Sequence, residues 1–265
     1  MKTHPAIDTA VSFIESRHQV ITAIGAGGKT TLLHWIAQRR LAAGHRVVLT
    51  TTTKIFPPRD RMTILLADGP GFFDTIAETL KHTPCIVVAK DRDRTTGKLL
   101  GLAPTTVDAL HALRIADTIL VEADGAAQKP LKAPADHEPV IPDCSDICVA
   151  VMGLDAVNQP LAEQLVHRSE RFAAITGAIM GSPITPTHMV KMATAPNGLF
   201  KGCPTRCERS VFLNKADIPG GHDLTKEFSS FLDKNGGASA LSWFVGSCCR
   251  HQFHPIHLQR VTAHA

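Results

Sequence analysis

The chain has 265 residues, 44% hydrophobic and 20% charged, with a net charge of +4, which is ordinary for a packed globular protein and excludes disorder over its whole length. No run of roughly 18 to 20 apolar residues is present and the opening MKTHPAIDTAVSFIESRHQ carries charges where a secretory core would lie, so a protein outside the membrane, in the cytoplasm, is expected. There is no arginine-rich run and no Tyr, and Phe and Trp are sparse, which disfavours nucleic-acid binding through basic grooves and aromatic platforms.

In chain order, an amphipathic stretch over residues 7–16 precedes a first strand, QVITAIG, at 19–25. The period then changes. Leu32, Leu33, Trp35, Ile36, Ala37 and Leu41 fit one face of a helix that Gly44 should end. Strand-like apolar runs follow at 46–50, 62–67, 85–89, 118–124, 147–153, 210–217 and 240–246, with helical patterns at 72–82, 107–113 and 186–192 between them. Gly97 marks a turn between short strands, and the Pro-containing segment 129–142 is a loop long enough to suggest function. Strands that are apolar throughout and alternate with helices imply a parallel sheet covered on both faces. The fold expected is therefore a three-layer α/β domain of the P-loop NTPase kind with a mostly parallel sheet, one domain over residues 1–265, with 247–265 an irregular tail.

The strongest local signal is Gly25-Ala26-Gly27-Gly28-Lys29-Thr30-Thr31, between the first strand and the first helix. Glycines let backbone N–H groups approach a phosphate, and the helix N-terminus adds positive potential. Lys29 would reach the β- and γ-phosphates, and the Thr30 hydroxyl would ligate Mg²⁺. The pattern departs from G-x4-G-K-[ST], because Ala23 stands at the first glycine position, and the remaining G-x-x-G-K-T also resembles the loop of Mur-type ligases. Glu122-Ala123-Asp124-Gly125 follows the apolar strand at 118–121; Asp124 is the expected second Mg²⁺ ligand, with Glu122 as an alternative ligand or water-orienting group. Lys29, Thr30, Glu122 and Asp124 form the candidate catalytic set.

Asn214-Lys215-Ala216-Asp217 follows a further apolar strand. Such a turn can read guanine, with Asp217 accepting from N1–H and the 2-amino group, Asn214 bonding the far edge and the Lys215 stem covering the ring. Thr50 to Thr53 at the end of the second strand could sense a γ-phosphate or complete the Mg²⁺ shell, and Lys132, His137 and Glu138 in the long loop could supply an acid, a base or a substrate clamp. The seven cysteines argue for reduced thiols; Cys85 and Cys148 read as buried strand residues, and the C-x3-C spacing of Cys203 and Cys207 is not that of a usual zinc site.

Together IGAGGKTT, TTTTKIFPP, VEADGAAQKPLKAPADHEPVIP, VMGLDAVNQPL, VHRSERFAAITG, GLFKG and FLNKAD resemble the YqeC family, described as selenium-dependent hydroxylase accessory proteins; the likeness spans about residues 20–217. The resemblance implies a role in maturing selenium-dependent molybdenum hydroxylases, with such a hydroxylase or its cofactor-assembly proteins as partners. With the motifs, this points to a Mg²⁺-dependent protein that binds GTP or ATP and hydrolyses the nucleotide, GTP being favoured. The alternatives are an ATP-dependent ligase or kinase acting on a small molecule, and a thiol-based selenium or metal carrier using Cys203 and Cys207.

Overall fold

The computed structural model describes residues 19–58, 61–69, 71–234 and 241–257, so the amphipathic stretch expected at 7–16 lies outside the described residues. The first half of the chain forms β1 (Val20–Gly25), α1 (Lys29–Ala42), β2 (Val47–Thr51), β3 (Lys54–Ile55), β4 (Thr63–Leu65), α2 (Phe72–Leu80), β5 (Cys85–Ala89), β6 (Asp91–Arg92), β7 (Leu99–Leu100), α3 (Pro104–Ala112), β8 (Thr118–Glu122) and β9 (Leu131–Lys132). The second half adds β10 (Ile147–Gly153), β11 (Val166–His167), α4 (Ser169–Thr176), α5 (Pro186–Thr194), β12 (Glu208–Asn214), α6 (Gly221–Lys234), β13 (Ser242–Ser247) and β14 (Gln252–His257).

Nine strands make one sheet in the order β14-β13-β12-β10-β1-β8-β2-β5-β4, and every neighbouring pair is parallel except β13 with β14. The molecule is thus α/β with a mostly parallel central sheet. The strands β1, β2, β5, β8 and β10 are buried at every position, as the continuous apolar runs required. Alternate residues of β1 enter two separate cores. Ile21 and Ala23 pack with Leu32, Leu33, Trp35 and Ile36 of α1, whereas Val20 and Ile24 join a larger core that takes Ile76 of α2, Val107 of α3, Phe172 of α4, Met189 of α5 and Phe228 of α6. The expected helix end holds: Gly44 takes φ +83°, and the N–H of Ala43 caps the Arg39 carbonyl.

The segment from residue 247, expected to be irregular, instead carries β14 back along β13. Its anchor is Phe253, whose ring stacks on Trp35 at 4.1 Å and on Phe212 at 4.9 Å. The turn at Gly97 joins β6 to β7 as a small antiparallel pair, and the long loop after β8 is tied down where β9 pairs with β11. The order of strands reverses direction beside β1, with β8, β2 and β5 on one side and β10, β12 and β13 on the other. Such a reversal opens a crevice at the C-terminal ends of the strands. The C-terminal ends of β1, β8, β10, β12 and β13 bring Gly25, Glu122, Gly153, Asn214 and Ser247 to that edge.

Candidate nucleotide site

The turn from β1 into α1 is folded tightly onto its neighbours. Gly27 has φ +81°, and a Cβ there would lie 2.6 Å from the Gly153 nitrogen and 2.8 Å from the Pro130 carbonyl oxygen. Gly28 has φ +134°, and its Cβ would stand 2.2 Å from the Asn214 amide nitrogen. Only glycine fits either position without displacing backbone or the Asn214 amide. The N–H groups of Gly25, Ala26 and Gly27, expected to face phosphate, donate instead to Asp124 Oδ2, the Val151 carbonyl and the Lys129 carbonyl. The first capping bond of α1 runs from Leu32 N–H to the Gly28 carbonyl, which leaves the N–H groups of Gly28, Lys29, Thr30 and Thr31 without a helical acceptor. The amides left open therefore begin further along the chain than the glycine pattern suggests, because the first three lock the turn onto β8, β10 and the following loop.

Behind this turn lies a buried network of charge. Lys29 donates to the Gly25 carbonyl at 2.7 Å and sits 3.0 Å from Asp124 Oδ1 and 3.6 Å from Glu122 Oε1. Burial pulls the Lys29 pKa down, but the charges of Asp124 and Glu122 outweigh it and hold the ammonium above its ordinary value. Asp124, with no exposed surface, also meets Lys132 Nζ at 3.1 Å. Lys132 in turn donates to the Gly125 carbonyl at 2.6 Å and to Glu138 Oε2 at 2.7 Å, and Arg168 reaches the same Glu138 oxygen at 2.8 Å. Burial would raise the Glu138 carboxyl, yet the hydrogen bonds from Lys132 and Arg168 bring it to about 2. Three cations thus face three carboxylates.

The Thr30 hydroxyl donates to Glu122 Oε2 at 2.7 Å. Asp124 pairs with the Gly25 N–H and the two lysines, and it is Glu122 that accepts from the Thr30 hydroxyl. The strand register explains this: Glu122 is the last residue of β8, opposite Ala23 and Thr51, while Asp124 lies beyond the strand where the chain turns back under the glycine turn. Of the loop trio, Lys132 and Glu138 are buried and paired, whereas His137 is exposed. The threonines closing β2 are engaged with backbone: Thr50, Thr51 and Thr52 donate to the carbonyls of Val88, Glu122 and Val140.

Asn214 spans the gap between the two sequence signals. Its amide nitrogen donates to the Gly27 carbonyl at 2.8 Å, and its oxygen accepts from Cys248 N–H at 2.9 Å. This fixes the end of β12 against the glycine turn. A cavity of about 230 Å³ opens there, lined by Gly27, Gly28 and Thr31 from the glycine turn and α1 and by Asn214, Lys215 and Asp217 after β12. The Lys215 ammonium is anchored on Asp155, and Asp217 is exposed at the mouth. Gln128, Ser247 and Cys249 complete the lining and were not foreseen from sequence. Ser247 ends β13, the next parallel strand after β12, so the rule that ligands gather at strand C-termini was the available signal. Arg168 was likewise missed; it stands beside β11, which only the pairing with β9 brings near Glu138.

A family model described as "YqeC protein" matches residues 21–170. The chain is also 37% identical over 201 residues to "Uncharacterized protein YqeC" of Escherichia coli (strain K12), with 76% of this chain and 77% of that protein covered.

Proposed function

This chain belongs to the YqeC family, and we propose that it is a Mg²⁺-dependent nucleotide-binding protein that takes GTP in preference to ATP and hydrolyses it. The observation that carries this reading is the cavity lined by Gly27, Gly28 and Thr31 at the start of α1 and by Asn214, Lys215 and Asp217 after β12, with Lys29 buried just behind the glycine turn. A triphosphate placed with its charged groups at the start of α1 would set its base against Asp217, whose carboxylate has acceptors for both guanine donors.

The residues present fit a magnesium ion: the Thr30 hydroxyl and the carboxylates of Glu122 and Asp124 are hard oxygen donors, with the Thr30 oxygen 2.7 Å from Glu122 Oε2. Thr30 and Glu122 would hold the ion, with Asp124 behind them, and Mg²⁺ would there neutralise charge on the β- and γ-phosphates. Lys29 then exchanges the Gly25 carbonyl and Asp124 for phosphate oxygen. Lys132 keeps Asp124 compensated when Lys29 leaves, so that this exchange does not strand a buried carboxylate. Glu138 and Arg168 hold Lys132 in place during that movement.

The accessory role in maturing selenium-dependent molybdenum hydroxylases comes from the family resemblance, and it names the class of client that nucleotide state would control. Calorimetric titration of the native chain with Mg·GTP and Mg·ATP tests the nucleotide reading. The expected result is GTP binding at least ~10-fold tighter, a difference of about 1.4 kcal/mol. Tighter ATP binding contradicts the guanine assignment, and no binding of either contradicts the site.

A further inference from the structure

Three cysteines that lie far apart in sequence come together outside the nucleotide site. The register of β10 with β12 sets Cys148 opposite Arg209, and Glu208 N–H bonds the Asp146 carbonyl, so the side chains of Cys148 and Cys207 fall on the same face of the sheet. Both are buried in the larger core, and Cys203 packs against it while remaining half-buried. The Cys207 N–H bonds the Pro204 carbonyl, closing a turn that folds Cys207 back toward Cys203. Cys203 thus lies beside the two buried thiols, and each of them acts electrostatically on its sulfur. Among the described residues no three His, Cys, Asp or Glu side chains are arranged to hold a metal ion, which sets this cluster apart from a zinc centre.

We propose that Cys203 and Cys207 form a reversible dithiol–disulfide couple that exchanges with small disulfide compounds, with Cys203 as the attacking sulfur and Cys148 as the buried thiol that positions it. The proposal is independent of nucleotide binding. Cys203 is the accessible member, and hydrogen bonds from Cys148 and then Cys207 favour its thiolate, while burial and the neighbouring Cys203 keep the other two as thiols. In the first step the Cys203 thiolate attacks one sulfur of a disulfide RSSR, forming a mixed disulfide and releasing RS⁻. In the second, Cys207 loses its proton to solvent or to RS⁻ and attacks the Cys203 sulfur, expelling the second RS⁻. Two protein thiols become one disulfide while RSSR becomes two RSH, so no other oxidant is required. Closing the bond across one turn moves little chain, whereas bridging to Cys148 would pull Cys203 into the middle of the packed sheet.

The test is to treat the full native chain with oxidised glutathione, quench in acid, digest with trypsin without reductant and map the cysteines by mass. Cleavage after Lys201, Arg206 and Arg209 puts Cys203 and Cys207 on separate peptides, 202–206 and 207–209, so a disulfide between them joins two fragments. The expected result is that joined pair, its loss in Cys203→Ser with Cys207 recovered as a thiol, and its persistence at a reduced rate in Cys148→Ala. As a check that needs no variant, Cys203 in the native chain should be alkylated by iodoacetamide at least ~10-fold faster than Cys85 or Cys144 at about pH 6.5, where an ordinary thiol is roughly 1% ionised. Recovery of Cys203 and Cys207 as thiols while exposed Cys249 carries the glutathione would overturn the proposal, as would a bridge from Cys203 to Cys148 or alkylation of Cys203 no faster than of Cys85.

Discussion

At one end of the candidate site, Lys29, Glu122, Asp124, Lys132 and Glu138 are buried and joined through ion pairs, with Arg168 closing the chain; at the other, Asp217 is exposed at the mouth of an open cavity. The two ends therefore answer different physical demands. In the dry network each charge is tolerable only because its partners are fixed, so deleting one leaves another uncompensated and harms both fold and binding. At the wet end the unbound turn is already solvated, and the same kind of change should alter which base is accepted while leaving the fold nearly untouched.

The largest effect that sharpens this contrast is expected from Lys29→Ala. Affinity for Mg·GTP should fall by about 10³-fold, ~4 kcal/mol, because the cation proposed to move onto the phosphates is lost, while guanosine binding stays close to native. Calorimetry with triphosphate and nucleoside distinguishes the two, and unchanged triphosphate affinity would remove Lys29 from the phosphate end. Next is Glu138→Gln, which strips Lys132 and Arg168 of their shared carboxylate and should cost about 3 kcal/mol of stability in urea unfolding at neutral pH. The Glu138 pKa is depressed from 4.5 to about 2 in the folded chain. Its contribution is thus complete above the unfolded value and lost as pH falls through the folded one. The native-minus-variant difference should shrink between about pH 4.5 and 2; a difference that stays flat over that window means the carboxylate is not paired as described.

A smaller change is expected for Glu122→Gln, where the amide still reaches Thr30 but the charge is gone. The Mg²⁺ concentration needed for half-maximal GTP binding should rise about 10-fold. Asp124→Asn is the counterpart: its main effect should be lower thermal stability, since Lys29 and Lys132 both lose a charged partner. If Asp124→Asn moves the Mg²⁺ titration and Glu122→Gln does not, their roles are exchanged. Smallest is Lys215→Met, which keeps an apolar stem beside the cavity but breaks a partly exposed pair with Asp155, worth about 0.5 kcal/mol. A loss of stability of several kcal/mol would mean the wet end is built like the dry one.

What could be read from the residues follows the same division. The apolar runs, their alternation with helices and the glycine turn are local patterns, and the sheet, α1 and the position of Gly25 to Thr31 follow them closely. Helix α4, eight residues with Phe172 as its one fully buried large apolar side chain, is too short to show a period, and its place depends on the larger core. Helix α6 did carry a signal, Phe228 and Leu232 four residues apart, but the polar stretch around them masked it. The choice of Glu122 over Asp124 beside Thr30 depends on where β8 ends against β1, a tertiary fact. Cys148 could be recognised as a buried strand residue, yet its meeting with Cys203 and Cys207 depends on β10 pairing with β12, and no spacing along the chain encodes that.

The claim that one guanine nucleotide spans both ends is tested most directly by exchanging the base-reading group while leaving the phosphate end alone. In Asp217→Asn the carboxylate that accepts from guanine N1–H and its 2-amino group becomes an amide with one acceptor and one donor. Xanthine has an oxygen where guanine has the amino group, so the amide donor finds a partner and its oxygen still takes N1–H. Competition among GTP, ATP and xanthosine triphosphate should show GTP first on the native chain. On the variant, xanthosine triphosphate should overtake GTP, with GTP weakened by as much as ~10⁴ because a polar group is left unpaired. Thermal stability should remain close to native. A variant that keeps the native order, or a native chain that prefers ATP, would contradict the account.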